Sequence, residues 1–231
     1  MREVQALLFD LDNTLMDRDQ TFRSFSTKFV QDHLGHLSEE QAAQVVEDMI
    51  IRDADGYRDK DGFFAELSEV LPWEKALTAA DIRAYYDETY IRHGAMMKHA
   101  VETLEYCLDR GYPLGLVTNG GTDIQYGKID LLGLRGYFRT IVISGEAGIS
   151  KPDPAIYRLA LERLGSTAEE TIFIGDHPVN DIWGAAQSGM DTIWLKRNHA
   201  WDESLNVKPV AVIQELNELR GDYLRKLRPA A

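Results

Sequence analysis

The chain has 231 residues, 44% of them hydrophobic, and 25 basic against 38 acidic side chains give it a net charge of −13. That length suits a core domain with a modest insertion, and the negative charge repels nucleic acid and anionic membranes, so neither is expected as a partner. A lone cysteine, Cys107, cannot close an internal disulfide. No apolar stretch approaches the roughly 18 residues of a membrane span, and the start lacks the apolar core of a signal peptide, so the chain reads as cytoplasmic.

In "LLFDLDNTLMD", Leu7, Leu8 and Phe9 read as the end of a buried strand. Asp10 and Asp12 stand at its exit. With a side-chain period of two they tend to point the same way, so they share a proton, bind a cation or divide two chemical roles. From about Met16 to His93 apolar residues recur at helical spacing, in "TFRSFSTKFVQDHL", "EEQAAQVVEDMII", "FFAELSEVL" and "AADIRAYYDETYI", which predicts a small helical unit. From Ala100 the pattern changes to repeated helix-then-strand units: "AVETLEYCLDRG" into "YPLGLVTNG", then "TIVISG", "PAIYRLALERLG", "TIFIGD", "DIWGAAQSG" and "DTIWL". Short β-rich runs alternating with amphipathic helices predict parallel strands joined by crossovers, an open doubly wound α/β sheet. The tail "VAVIQELNELRGDYLRKL" reads as a short strand and a closing helix.

The polar residues cluster at the C-terminal ends of these strands: Asp10 and Asp12 after Phe9, Thr118 and Asn119 after Val117, Gly175 and Asp176 after Ile174. In an open α/β sheet ligands bind at that edge. Lys151, in "GISKPDP", follows the strand ending near Ser144 by a short loop that Pro152 and Pro154 restrict. Asp10, Asp12, Asp176 and Asp181 offer oxygen ligands with no nearby Cys or His set, which suits Mg²⁺ rather than zinc. A phosphate dianion entering an acidic site needs positive charge there, which Mg²⁺ and Lys151 would supply. Thr118 and the backbone amides around Asn119, Gly120 and Gly121 suit phosphoryl oxygens. Asp10 is then the nucleophile, forming an aspartyl-phosphate, and Asp12 the general acid and base. Asp181 has a second reading, as the cap of the helix that begins at "DIWGAAQSG".

"DLDNT", "LVTNG", "SKPDP" and "GDHPVND", in this order, resemble the motifs of the haloacid dehalogenase (HAD) superfamily of Mg²⁺-dependent phosphohydrolases, in its helical-cap phosphatase branch. The resemblance implies a Rossmann-like core of residues 1–15 and 100–231 with a cap inserted over 16–99. It further implies Asp10 as nucleophile and metal ligand, Asp12 as acid/base with its backbone carbonyl on the metal, Asp176 as a further ligand, and Thr118 and Lys151 as phosphoryl-binding groups. Asp181 resembles an acid that orients metal-bound waters or Lys151. Members that dehalogenate lack a carboxylate two residues after the nucleophile, because halide leaves without a proton; Asp12 therefore points to phosphoryl chemistry.

Several apparent motifs fail. "GGTDIQYGKI" follows a strand as a P-loop does, but five residues separate Gly121 from Gly127 where four are needed, and Ile129 replaces the Ser or Thr. "DADGYRDKDGFFAEL" is no calcium loop, since aligning Gly62 on the invariant glycine puts Tyr57 and Ser68 where carboxylates are required. His33 and His36 are not a convincing metal pair, with Gly35 expected to end their helix, and Cys107 reads as core. His177 reads either as a group near the substrate or as a helix-entry residue. The loop from about Arg52 to Lys60, with Asp53, Tyr57 and Arg58, is in cap-bearing relatives the one that contacts the leaving group; otherwise it is a solvated charged loop. The expected function is hydrolysis of a small phosphorylated metabolite, with a phosphomutase or a non-enzymatic aspartate phosphoacceptor as alternatives. The motifs do not distinguish monomer from homodimer.

Overall fold

The computed structural model describes residues 4–220. It divides into two compact units: one takes the residues up to Asp17 together with those from Met96 onward, the other is Arg18–Ala95.

The first unit is built on strands β1 (Ala6–Phe9), β2 (Leu114–Thr118), β3 (Thr140–Ile143), β4 (Thr171–Gly175), β5 (Asp191–Leu195) and β6 (Ala211–Ile213). All pair in parallel, in the order β3-β2-β1-β4-β5-β6. The period of two divides their side chains between two cores. Leu7 and Phe9 join Leu114, Leu116, Ile172 and Ile174 on one face, with Leu104 and Cys107 of a helix laid over them. Ala6 and Leu8 join Val117 and Phe173 on the other, under Ile156, Tyr157, Ala160 and Leu164 of a second helix. Both faces are therefore covered, which is why the central strands read as continuous apolar runs. The strand order reverses between β1 and β4, where Phe9 lies beside Ile174, and in open α/β sheets ligands bind outside the carboxyl ends of the strands at such a switch point.

The second unit contains α1 (Arg18–His33), α2 (Glu39–Asp53), α3 (Lys60–Val70) and α4 (Ala79–Thr89). Capping boxes start two of them, Ser38 with Gln41 and Thr78 with Asp81. Its core is aromatic: Tyr86 stacks on Tyr90 with centroids 4.5 Å apart, and Phe25 meets Tyr86 edge-on at 5.2 Å. The Asp53 carboxylate, buried at the end of α2, accepts from Arg18 at 2.5 Å and from Lys60, so a buried charge is paired rather than bare. In the charged loop, Arg52 pairs with Asp48 and Glu66, and Arg58 with Glu66, all within this unit.

The remaining helices of the first unit are α5 (Ala100–Asp109), α6 (Thr122–Leu131), the single turn α7 (Ser144–Ala147), α8 (Pro154–Leu164) and α9 (Gly184–Gln187), the last continuing a π-helical turn over Pro178–Trp183. After β6, Leu216–Arg220 forms a 3₁₀ turn; the rest of the closing helix expected from the sequence lies outside the described residues. Among the described residues, no helix is long and apolar enough to cross a membrane.

Candidate active site

Four chain segments meet at the carboxyl ends of β1 and β4. Asp10 follows β1, Asp176 follows β4, Asp181 lies one helical turn farther on, and Lys151 comes from the loop before α8. The Lys151 ammonium donates to Asp10 Oδ1 at 2.6 Å and to Asp181 Oδ1 at 2.7 Å, and it lies 5.4 Å from the centre of the Phe173 ring. All three charged side chains are buried. One ammonium between two carboxylates leaves an excess negative charge in a buried site. Burial, together with the charge of Asp181, pushes the Asp10 carboxyl up to about 7 in spite of Lys151. Burial alone would pull the Lys151 ammonium down, but Asp10 and Asp181 outweigh it and hold the group well above its ordinary range.

Asp10, Asp176 and Asp181 each bring a carboxylate oxygen to within 4.8 Å of the other two. Opposite ligands of an octahedral Mg²⁺ stand roughly 4 Å apart, and the ion takes hard oxygen donors, so three buried carboxylates at this spacing fit it. Local structure fixes each of them. The Trp194 indole donates to the Asp176 carbonyl at 2.7 Å. Asp181 Oδ2 accepts the His177 amide at 2.9 Å. Gly175 makes that approach possible, because a Cβ there would collide with the Asp181 side chain. Asp181 is not the helix N-cap of the alternative reading. His177 is, its Nδ1 accepting from the amides of Val179 and Asn180 at 3.1 Å, which settles the position of His177 as a helix-entry residue.

Asp12 has partners of its own. Its carboxylate lies outside the group formed by Asp10, Asp176 and Asp181, and it accepts from Lys128 Nζ at 2.8 and 2.9 Å and from Gln125 Nε2 at 2.9 Å. Gln125 also donates to Thr118 Oγ1 at 2.6 Å. The Thr118 hydroxyl therefore has an occupied lone pair, while its proton makes only a 3.5 Å contact with the Asn119 carbonyl. Asn119 departs from expectation. Its side chain is committed to the Lys151 backbone, accepting from that amide at 2.8 Å and donating to that carbonyl at 2.9 Å, so any phosphoryl contact falls to its own backbone amide.

A family model described as haloacid dehalogenase-like hydrolase matches residues 7–195, from β1 to the end of β5. The chain belongs to this family. It is similar to the glyceraldehyde 3-phosphate phosphatase of Pyrococcus furiosus, 29% identical over 95% of this chain and 92% of that one, and to that of Methanopyrus kandleri, 30% identical over 86% and 87%. Among solved structures it resembles a HAD phosphatase from Thermococcus onnurineus, with TM-score 0.68 and 25% identity over 98% of this chain and all of that one.

Within this HAD hydrolase, Gln125 and Lys128 are the site neighbours that motif reading passed over. The signal was present in the helix spacing: 125, 128 and 129 share one helical face, and a glutamine and a lysine beside Ile129 on the buried face of α6 ask for polar partners.

Proposed function

We propose that this protein is a phosphatase that hydrolyses a small phosphomonoester in two steps through an aspartyl-phosphate on Asp10. The observation that carries the reading is the buried group of Asp10, Asp176, Asp181 and Lys151 at the switch point of the sheet, in a chain whose full-length relatives are named phosphatases. Asp10, Asp176 and Asp181, with the backbone carbonyl of Asp12, would hold Mg²⁺. Bound there, the ion supplies the positive charge that lets a phosphate dianion approach carboxylates.

The chain's own residues do the rest. An Asp10 oxygen attacks phosphorus, and the bond from phosphorus to the alcohol oxygen breaks. Asp12 gives that oxygen its proton, then takes one from the water that attacks phosphorus, and the bond to Asp10 breaks with release of phosphate. Lys151 offsets charge on Asp10 and the phosphoryl group. Thr118 has a proton left to donate to a phosphoryl oxygen, and Asn119, through its clamp on the Lys151 backbone, sets where the ammonium stands.

In this reading the unit that runs to Asp17 and resumes at Met96 is the catalytic core, and the inserted helical unit Arg18–Ala95 is the cap. The relatives named for glyceraldehyde 3-phosphate favour a small phosphorylated metabolite as substrate. The test is phosphate release from a panel of phosphate esters, with Mg²⁺ and with excess chelator, by the protein and its Asp10→Asn variant. Turnover should require the cation, the variant should be folded and inactive, and intact-protein mass after rapid quenching should show a phosphoryl adduct on the active protein. Undiminished turnover by Asp10→Asn would refute the mechanism.

A further inference from the structure

Helix α6 turns an unusual face toward the site. Lys128 and Gln125 lie one turn apart with 5% and 1% of their surface exposed, and both direct their polar ends at Asp12. Burying an ammonium and an amide costs free energy unless their hydrogen bonds are met, and an apolar pair would pack beside Ile129 without that cost. Gly120 contributes as well: its φ of +148° is open to glycine, and a Cβ would stand 2.8 Å from the Gln125 side chain. Three positions are thus committed to one carboxylate.

We propose that Lys128 and Gln125 are positioning residues for Asp12. Lys128 fixes both carboxylate oxygens. Gln125, bonded to Asp12 at 2.9 Å and to the Thr118 hydroxyl at 2.6 Å, ties the proton-transfer group to the phosphoryl-binding group, so the two hold a constant separation. The inference rests on the reading of Asp12 as acid and base. That role is exercised twice in a turnover, on the leaving oxygen and on the attacking water, and a carboxylate displaced by an ångström between the steps would serve one of them poorly.

A double-mutant cycle with full-length, Mg²⁺-supplemented protein and p-nitrophenyl phosphate tests it. Lys128→Met should lower kcat by roughly 10–100-fold, the order expected for a displaced catalytic group, with KM within about threefold. Lys128→Arg, which can again donate to both oxygens, should recover most of that loss. In the Asp12→Asn background Lys128→Met should slow the enzyme no further, because its effect runs through Asp12. Losses that multiply in the double variant, no rescue by arginine, or wild-type kcat in a folded Lys128→Met protein would overturn the proposal. Should Lys128→Met fail to fold, Lys128→Gln, polar but uncharged, takes its place in the cycle, with a loss of kcat in the wild-type background and none in Asp12→Asn. Wild-type kcat in Asp12→Asn alone would instead refute the acid/base reading beneath it, so the two failures are told apart.

Discussion

Without a bound cation, Asp10 should destabilise the α/β unit as pH rises from 4 to 8. Burial is the main cause of its raised affinity for a proton: the Lys151 ammonium at 2.6 Å opposes it, and the nearby charge of Asp181 adds to it. In the folded protein the carboxyl is held at about 7 against an ordinary 3.8. The folded state therefore binds the proton more tightly than the unfolded chain does. The stability this confers is complete below the unfolded value and is lost as pH rises through the folded one. At about 1.4 kcal/mol per tenfold change in proton affinity, the swing is about 4 kcal/mol at most. Asparagine does not titrate, so Asp10→Asn relative to wild type should gain up to that amount between pH 4 and pH 8. Taking the difference cancels carboxylates that behave oppositely, such as Asp130, which hydrogen bonds from Arg135 hold below its ordinary range. Urea unfolding in chelator, followed by tryptophan fluorescence, reads the right unit, because Trp183, Trp194 and Trp201 belong to it and only Trp73 does not. Adding Mg²⁺ near pH 7.5 should shrink the gap by favouring the ionised cluster. A difference independent of pH, or one that swings toward wild type as pH rises, would refute the assignment of Asp10 as a carboxyl dominated by burial.

Lys151→Met leaves Asp10 and Asp181 facing each other across an apolar side chain, and breaking a buried pair in this way costs about 3–5 kcal/mol. Urea unfolding in chelator at pH 8 should show that loss, and a variant as stable as wild type would mean the ammonium is not the partner of both carboxylates. Cys107 is buried under the sheet, and burial pushes its thiol up to about 12, so iodoacetamide at pH 8 should leave the folded protein unmodified and add one label in urea. Stoichiometric labelling of the native protein would contradict that burial.

The architecture was legible because the evidence for it is local. Apolar runs such as "LLF" and "TIFIG" give strands buried on both faces, and the helical periods between them give crossovers. The strand ends extend slightly beyond expectation: Thr118 and Gly175 still pair, with Ile143 and Trp194, where the sequence suggested the loop had begun. Asp10, Lys151, Asp176 and Asp181 were legible for a topological reason, since parallel strands bring all their carboxyl ends to one edge. What the motifs do not reveal belongs to α6 and to the π-helical turn that precedes α9. "GGTDIQYGKI" fails as a phosphate-binding loop, and a failed motif says nothing of where Gln125 and Lys128 point. His177 in place of Asp181 at the N-cap reflects a ring nitrogen acting as acceptor, which Ser/Thr/Asp/Asn preferences do not anticipate.

The paired aspartates show where a sequence rule stops applying. Alternation holds within a strand, and β1 ends at Phe9. The Leu11 carbonyl then accepts the amides of Thr14, Leu15 and Met16 at 3.3, 2.9 and 2.9 Å, and Asn13 takes φ 56°, so the chain is already turning tightly at Asp12. The turn sends the second carboxylate toward α6, and the two meet different ammonium groups, Lys128 for Asp12 and, for Asp10, the Lys151 that also pairs with Asp181. Separate partners do not remove the repulsion between the two anions, since the charge of Asp12 still adds, as the last of several causes, to the raised proton affinity of Asp10. The separation gives them different access to solvent: the Asp10 side chain is 8% exposed and that of Asp12 is 23%. A nucleophile attacks better with little competing water, whereas a group that takes a proton from water must meet it, so the turn at Leu11 sorts the two carboxylates into the environments their proposed roles require.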